Sequence, residues 1–415
     1  MKNIQHHTCA NGLQIVTQHI PNVKTVALNW GVRAGSAMSG CDGESVLLTE
    51  LIQRGIRNFT AKEHTDALDS LGVQKHVACG AEFARISAVF LGSRLQDALP
   101  LLSGYFLSPT IPENDLTACK SLCLHALMGL TDNPSHLASI SLNSHHLAPP
   151  FNRSPYGTES CIRSATIEQL RDVHKTTFIP NESILVLVGD LDSDRVVQQV
   201  SLLTENWDSH TPKTNTPSLQ ERGAHFIEQD SSQVHLAFAF DAPDASSDNS
   251  ILEAVAISIF GGTTSGRLFT QVRQRRSLCY SVSARYSPAK ERSAVRMYAG
   301  TTPDRAQETA DVCLEQLAEL TEGVSEEEFT RTIVQMKART VMHGESTAAR
   351  ASALWGDQYA LGVTRTMQDR LQEINDVELD AVNEWLSNRT IGEVTFVSVG
   401  PHPLTIAPES LVIGC

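Results

Sequence analysis

Two stretches of the chain about 210 residues apart carry the same pattern, and this repeat limits the possible folds more than any other feature. The first runs from Thr166-Ile-Glu-Gln-Leu-Arg-Asp-Val-His174 through Thr177-Phe178 to Ile184-Leu-Val-Leu-Val-Gly-Asp190. The second runs from Asp376-Val-Glu-Leu-Asp-Ala-Val-Asn-Glu-Trp385 through Thr390-Ile391 to Val394-Thr-Phe-Val-Ser-Val-Gly400. In each, apolar residues at helical spacing precede a β-branched run that stops at glycine, the signature of a helix leading into a buried strand. The beginnings of the halves match as well. Val26–Val32 and Val234–Phe240 alternate like strands, and each leads through a polar turn to an apolar helix, at 45–53 and 251–260.

A pattern copied at fixed offset is a copied structural unit, so two domains of one fold are expected, at 1–205 and 223–415. Between them, 206–217 is polar, proline-containing and without periodicity, which predicts a linker over 206–222. Within each half strands come first, long helices such as 95–106 and 167–175 follow, and a strand closes the unit. Segregated strands and helices predict an α+β fold: a mainly antiparallel sheet with helices packed on one face, rather than a doubly wound parallel sheet.

A chain of 415 residues suits two domains of about 200, and 41% apolar with 19% charged residues is the balance of a globular protein. A formal charge of −14 argues against nucleic acid, whose phosphates require clustered Lys and Arg. The start, Met1-Lys2-Asn3-Ile4, lacks a secretory apolar region, and no stretch approaches the ~20 apolar residues of a membrane span, so no membrane insertion and a cytoplasmic location are expected. The nine cysteines are odd in number and form no CxxC pair, which predicts reduced, mostly structural thiols. Cys119 and Cys123 share a helical face, but two soft ligands alone make a poor metal site, and packing is the simpler reading. Gly261-Gly-Thr-Thr-Ser-Gly266 lacks the Gly-Lys-Ser/Thr ending of a phosphate loop and reads as a helix terminus.

Arg33-Ala-Gly-Ser36, a polar loop and Gly43 together are similar to the approach to the active-site helix of the pitrilysin/insulinase metallopeptidases, a family the chain resembles. The resemblance continues through Ala67-Leu-Asp-Ser-Leu-Gly72, Asp132-Asn-Pro134, Ser154-Pro-Tyr-Gly157, Phe178-Ile-Pro-Asn181 and Val188-Gly-Asp190. It resumes at Ser265-Gly-Arg-Leu-Phe269 and Val272-Arg-Gln-Arg-Arg-Ser-Leu-Cys-Tyr280. Active members place HxxEH on that first helix, two imidazoles one turn apart to hold zinc and a glutamate to polarise water, with a further glutamate ligand on a later helix. Matched from Gly43, the motif positions hold Val46, Thr49 and Glu50, and the later position holds Ala126. Valine and alanine offer no ligand atom, so no cofactor of its own is expected. Glu44, Glu50, His125, His145 and His146 are the nearest candidates for a rebuilt site and read instead as solvated or capping residues.

The resemblance also implies that an arginine and a tyrosine seven residues apart on the second domain hold the substrate backbone; the matching residues are Arg273 and Tyr280. Arginine supplies a planar fork of donors and tyrosine a phenolic donor to developing negative charge. Short members of the family resemble half a clamshell and pair into dimers, some joining a zinc-bearing subunit to a zinc-less one. Three readings follow: a non-catalytic subunit supplying Arg273 and Tyr280 to a peptide held by an HxxEH-bearing homologous subunit, or as a self-dimer; an assembly or peptide-binding scaffold; and a peptidase with a rebuilt metal site. Half a clamshell leaves concave sheet faces open to water, which favours a dimer.

Overall fold

The computed structural model describes residues 4–210 and 222–413; most of the expected linker at 206–222 lies outside them. The chain forms two compact units. One takes its described residues from Met1–Gly129, Pro149–Ser218 and His343–Thr364, the other from Leu130–Ala148, Leu219–Met342 and Arg365–Cys415.

The first unit is built on six strands in the order Ile4–Thr8, Gln14–His19, Ile184–Gly189, Thr25–Val32, Ala84–Leu91 and Gln74–Cys79. The second is built on five, in the order Ala224–Glu228, Thr395–Gly400, Val234–Asp241, Ala294–Thr301 and Cys279–Ser287. Apart from Ile4–Thr8, the two orders are the same. Each sheet has one parallel pair, Gln14–His19 with Ile184–Gly189 and Ala224–Glu228 with Thr395–Gly400, and is otherwise antiparallel. The repeat in the sequence is therefore a repeat of topology, and the architecture is the expected α+β one. Both closing strands are buried along their whole length, as suits strands covered on both sides, although the second includes the polar Thr395 and Ser398.

One face of the first sheet carries most of the helices. Leu28, Trp30, Ile86, Leu185 and Leu187 share a core with Leu47, Leu48 and Leu51 of the helix Glu44–Leu51 and with Leu99, Leu102 and Phe106 of Leu95–Leu107. The helix Ile167–Thr177 starts on a capping box in which Thr166 accepts from the Gln169 amide and Gln169 accepts from the Thr166 amide.

The central strands of the opposite faces are covered, where half a clamshell implied faces open to water. Val16, Ala27, Val186 and Val188 of the first sheet meet Ala351, Leu354 and Trp355 of the helix Thr347–Leu361, which comes from the second half of the chain. Ala237, Ala239, Val397 and Val399 of the second sheet meet Ala138 and Leu142 of Pro134–His146, which comes from the first half. Each half lends the other one helix, so the compact units differ from the expected ranges 1–205 and 223–415. Trp355 is seated by its indole N–H, which donates to the Ile184 carbonyl at 3.1 Å, and by a Gly31 that has no side chain to obstruct it. A Cβ at Gly31 would lie 2.6 Å from Trp355 Cζ2.

The core of the second unit encloses an ion pair. Arg389 donates to Glu253 at 2.7 Å, with side chains 5% and 1% exposed, and Trp385 Nε1 donates to the other Glu253 oxygen at 3.0 Å. Burial raises the Glu253 pKa, and the Arg389 charge acts against it. Among the described residues no helix is long and apolar enough to cross a membrane.

Candidate functional site

The motif helix Glu44–Leu51 begins at Gly43, whose φ of 131° suits glycine. A Cβ there would lie 2.8 Å from Ile162, and one on Gly157 would lie 2.4 Å from Gly43 Cα, so this paired glycine contact draws the segment 153–162 against the start of the helix. Arg153 secures it, pairing with Asp42 at 2.8 Å and donating to the Ser39 carbonyl at 2.6 Å. The Thr158 amide donates to the Asp42 carbonyl at 2.8 Å. Cys41 and Cys161 are joined in a disulfide, with Cα atoms 6.2 Å apart, within the reach of a bridge. That corrects the expectation of reduced thiols at these two positions, whereas the other six described cysteines are free as expected: the partners are 120 residues apart, and spacing alone does not reveal such a pair.

The motif positions do not form a zinc site. Val46 is half-buried and packs against the first core. Thr49 is buried, and its hydroxyl donates to the Ser45 carbonyl at 2.7 Å. Glu50 is half-buried, and Ala126 is exposed on the helix Leu116–Met128. An open catalytic zinc needs three protein ligands, and Glu50 alone of these four carries a carboxylate. Zinc therefore does not fit here. Beside them lie thiols: Thr49 hydrogen-bonds Cys79, whose pKa burial pushes up to about 12, and burial does the same to Cys123. Cys119 and Cys123 are both buried in the first core, the packing role expected of them.

The other candidates for a rebuilt site are engaged elsewhere. Glu44 accepts the Cys41 amide at 3.0 Å. His145 stacks on His225 with ring centroids 3.5 Å apart. His146 Nδ1 lies 3.0 Å from Thr395 Oγ1, and its Nε2 lies 3.5 Å from Asp241. Both histidines sit on the lent helix Pro134–His146 in the second unit, whereas His125 is exposed in the first. Among the described residues no three His, Cys, Asp or Glu side chains are grouped to hold a metal ion.

In the second unit, Arg273 and Tyr280 are displayed by two irregular pieces of backbone. The glycine-rich segment 261–266 closes the helix Ser250–Gly261, as expected of a helix terminus. Arg267 then pairs with Glu328 through two donors, at 2.7 and 2.9 Å, and donates to the Gly323 carbonyl at 2.8 Å. Burial raises the Glu328 pKa, but Arg267 and the Ser325 amide outweigh it and bring the carboxyl down to about 2. Beyond this anchor Phe269–Arg275 winds as a π-helical turn, a rare geometry found often at functional sites. Val272 is buried and the Leu278 amide donates to its carbonyl at 2.9 Å, while Arg273 is exposed. The Arg273 guanidinium lies 4.9 Å from the Phe269 ring centroid. The ladder of the edge strand Cys279–Ser287 slips between Cys279 and Ser281, and the extra residue of this bulge is Tyr280, 60% exposed. A bulge re-aims the side chain it carries, here outward.

The residues expected from the sequence, Arg273 and Tyr280, are both exposed, and they have neighbours that the sequence analysis does not single out. Arg275 and Arg276 are also exposed, and the only advance signal was the basic run Arg273-Gln-Arg-Arg276.

A duplicated α+β fold whose motif helix carries Val46, Thr49 and Glu50 where zinc peptidases carry HxxEH defines a peptidase-like protein lacking the zinc ligands. The model of the peptidase M16 inactive domain matches residues 164–336. The chain is 26% identical to the uncharacterized zinc protease YmxG of Bacillus subtilis, over 92% of this chain and 94% of that one. It is 25% identical to the uncharacterized zinc protease ML0855 of Mycobacterium leprae, over 91% and 87%. Its fold is that of an M16 inactive domain from Pseudomonas fluorescens, with a TM-score of 0.87 at 20% identity over 97% and 99% of the two chains. A protease from Helicobacter pylori superimposes with a TM-score of 0.86 at 18% identity, over 97% and 100%. The family match over 164–336, the relatives named zinc proteases and the shared fold all point to the M16 peptidases, the pitrilysin/insulinase group that the chain's motifs resemble.

Proposed function

We propose that this chain is the non-catalytic subunit of a heterodimeric zinc metallopeptidase and supplies Arg273 and Tyr280 to bind the peptide substrate in trans. The observation that carries this reading is the contrast between the two sites. The zinc positions hold a packed valine, a threonine already hydrogen-bonded, one carboxylate and an exposed alanine. Arg273 and Tyr280, by contrast, are held outward by a π-helical turn and a bulge. Arg273 offers two parallel donors to a peptide carbonyl or carboxylate, and Tyr280 a hydroxyl to an oxygen gaining negative charge. Zinc belongs to an HxxEH-bearing homologous partner, and this chain needs no cofactor of its own.

The test is steady-state kinetics of the complex reconstituted with such a partner, normalised to assembled dimer. Arg273→Ala lowers turnover with assembly intact, and Tyr280→Phe lowers it at least tenfold, since losing one such donor typically costs about 10²–10³ in rate. Unchanged turnover per dimer in both variants would favour the second reading, an assembly or peptide-binding scaffold. What supports that scaffold is the edge strand Cys279–Ser287, which can accept an extended peptide without cleaving it.

A further inference from the structure

Arg273, Arg275 and Arg276 place three exposed guanidinium groups within four positions. None has a carboxylate partner among the described residues, whereas arginines around them do. Arg267 pairs with Glu328, Arg331 with Glu327 at 3.1 Å, and Arg305 lies 3.8 Å from Asp304. Arg276 donates only to the carbonyl and side-chain oxygens of Gln271, both at 3.1 Å. The chain holds 47 acidic residues against 33 Lys and Arg, so carboxylates are its commoner charge. Keeping three like charges together and unneutralised in such a chain costs repulsion that an outside anion would relieve. A guanidinium fork matches a carboxylate in particular.

We propose that Arg275 and Arg276 extend the Arg273/Tyr280 pair into a receptor for acidic side chains, so that the chain selects peptides carrying Asp or Glu. The inference rests on the reading of Arg273 and Tyr280 as peptide-binding residues. A peptide fits better than a nucleic acid for two reasons. The basic segment leads through Ser277 and Leu278 straight into the edge strand Cys279–Ser287, where an extended chain can add by backbone pairing. The net charge of −14 opposes the longer phosphate track that a nucleic acid would need.

The experiment is fluorescence anisotropy with the full chain and two labelled peptides of equal length, one with three serines replaced by glutamate. The acidic peptide binds about tenfold more tightly at low salt, as expected of two exposed arginines worth roughly two- to fivefold each. The difference shrinks on the order of 0.5 M salt. Arg275→Gln with Arg276→Gln abolishes it while sparing the neutral peptide, and Arg275→Glu shifts preference toward a basic peptide. Circular dichroism confirms that each variant folds. Equal affinity for both peptides in the wild type, with Arg273→Ala weakening both, overturns the acidic preference and leaves the Arg273/Tyr280 reading standing. Absence of binding to either peptide overturns both. A single-stranded oligonucleotide of matched charge that binds more tightly than the acidic peptide assigns the arginines to nucleic acid and overturns the proposal as well.

Discussion

Replacing Trp355 with alanine tests whether the helix lent by the second half is an integral layer of the first unit. The indole is 1% exposed. It packs edge-on against Phe83 with centroids 4.9 Å apart, carries the Arg85 guanidinium 3.5 Å above its ring and donates to the Ile184 carbonyl. Truncating a buried aromatic side chain to alanine costs about 3–5 kcal/mol, and the lost hydrogen bond adds about 1 kcal/mol. Urea unfolding followed by circular dichroism therefore shows the first unit weakened by about 4–6 kcal/mol. Gly31→Ala supplies the internal control. Its Cβ would stand 2.6 Å from Trp355 Cζ2, an overpacking worth about 1–3 kcal/mol in the wild type. In the Trp355→Ala background that obstacle is gone, so the same substitution becomes nearly neutral and the cycle shows a coupling of about 1–3 kcal/mol. A loss below about 1 kcal/mol for Trp355→Ala, or an equal cost of Gly31→Ala in both backgrounds, would refute the reasoning.

Other expectations concern metal, charge and pH. The purified chain carries no stoichiometric zinc at Val46, Thr49, Glu50 and Ala126 by elemental analysis; one tightly bound zinc per chain that is lost on Glu50→Ala would contradict this. Arg389→Ala strands the buried Glu253 carboxylate and destabilises the second unit by about 3–5 kcal/mol in urea, whereas Arg389→Met with Glu253→Gln is much milder. His174 and His146 are both held neutral, with pKa values lowered to about 4. The cause is burial first in each; at His146 the Arg222 charge adds to it, and at His174 a hydrogen bond to the Phe106 carbonyl opposes it. The unfolded chain takes up protons near pH 6.5, before the folded one does, so stability is level above that pH and falls between about 6.5 and 4, by up to roughly 3 kcal/mol per histidine. A urea midpoint unchanged from pH 7 to pH 5 would exclude this.

The elements most legible in the sequence were those whose burial is dictated by one-dimensional pattern. Ile184–Gly189 and Thr395–Gly400 are legible as β-branched runs that end at glycine, and the motif helix by its position after Gly43. The destination of a helix is a different matter. Ala138 and Leu142 would suit either sheet, and only the facing Ala237, Ala239, Val397 and Val399 decide it. Likewise, nothing in Cys41 points to Cys161, nor in Glu253 to Arg389, because these partners meet only after the chain has folded back. At the candidate site the spacing of Arg273 and Tyr280 was readable. The π-helical turn and the bulge that turn them outward were not, because both depend on hydrogen bonds that depart from the regular ladder.

The exchange of helices sets an order of events during synthesis. Trp355 is 171 residues downstream of the Ile184 carbonyl it caps. At roughly 5–20 residues per second, the ribosome needs on the order of 10–30 s to deliver it after the first sheet's closing strand is made. Through that interval Val16, Ala27, Val186 and Val188 have no cover, while Pro134–His146 has been made but its own sheet has not. Neither unit can mature as the nascent chain lengthens; both must close near the end of translation, almost together. Cutting the gene between the halves would therefore yield two polypeptides, each holding the helix the other one lacks.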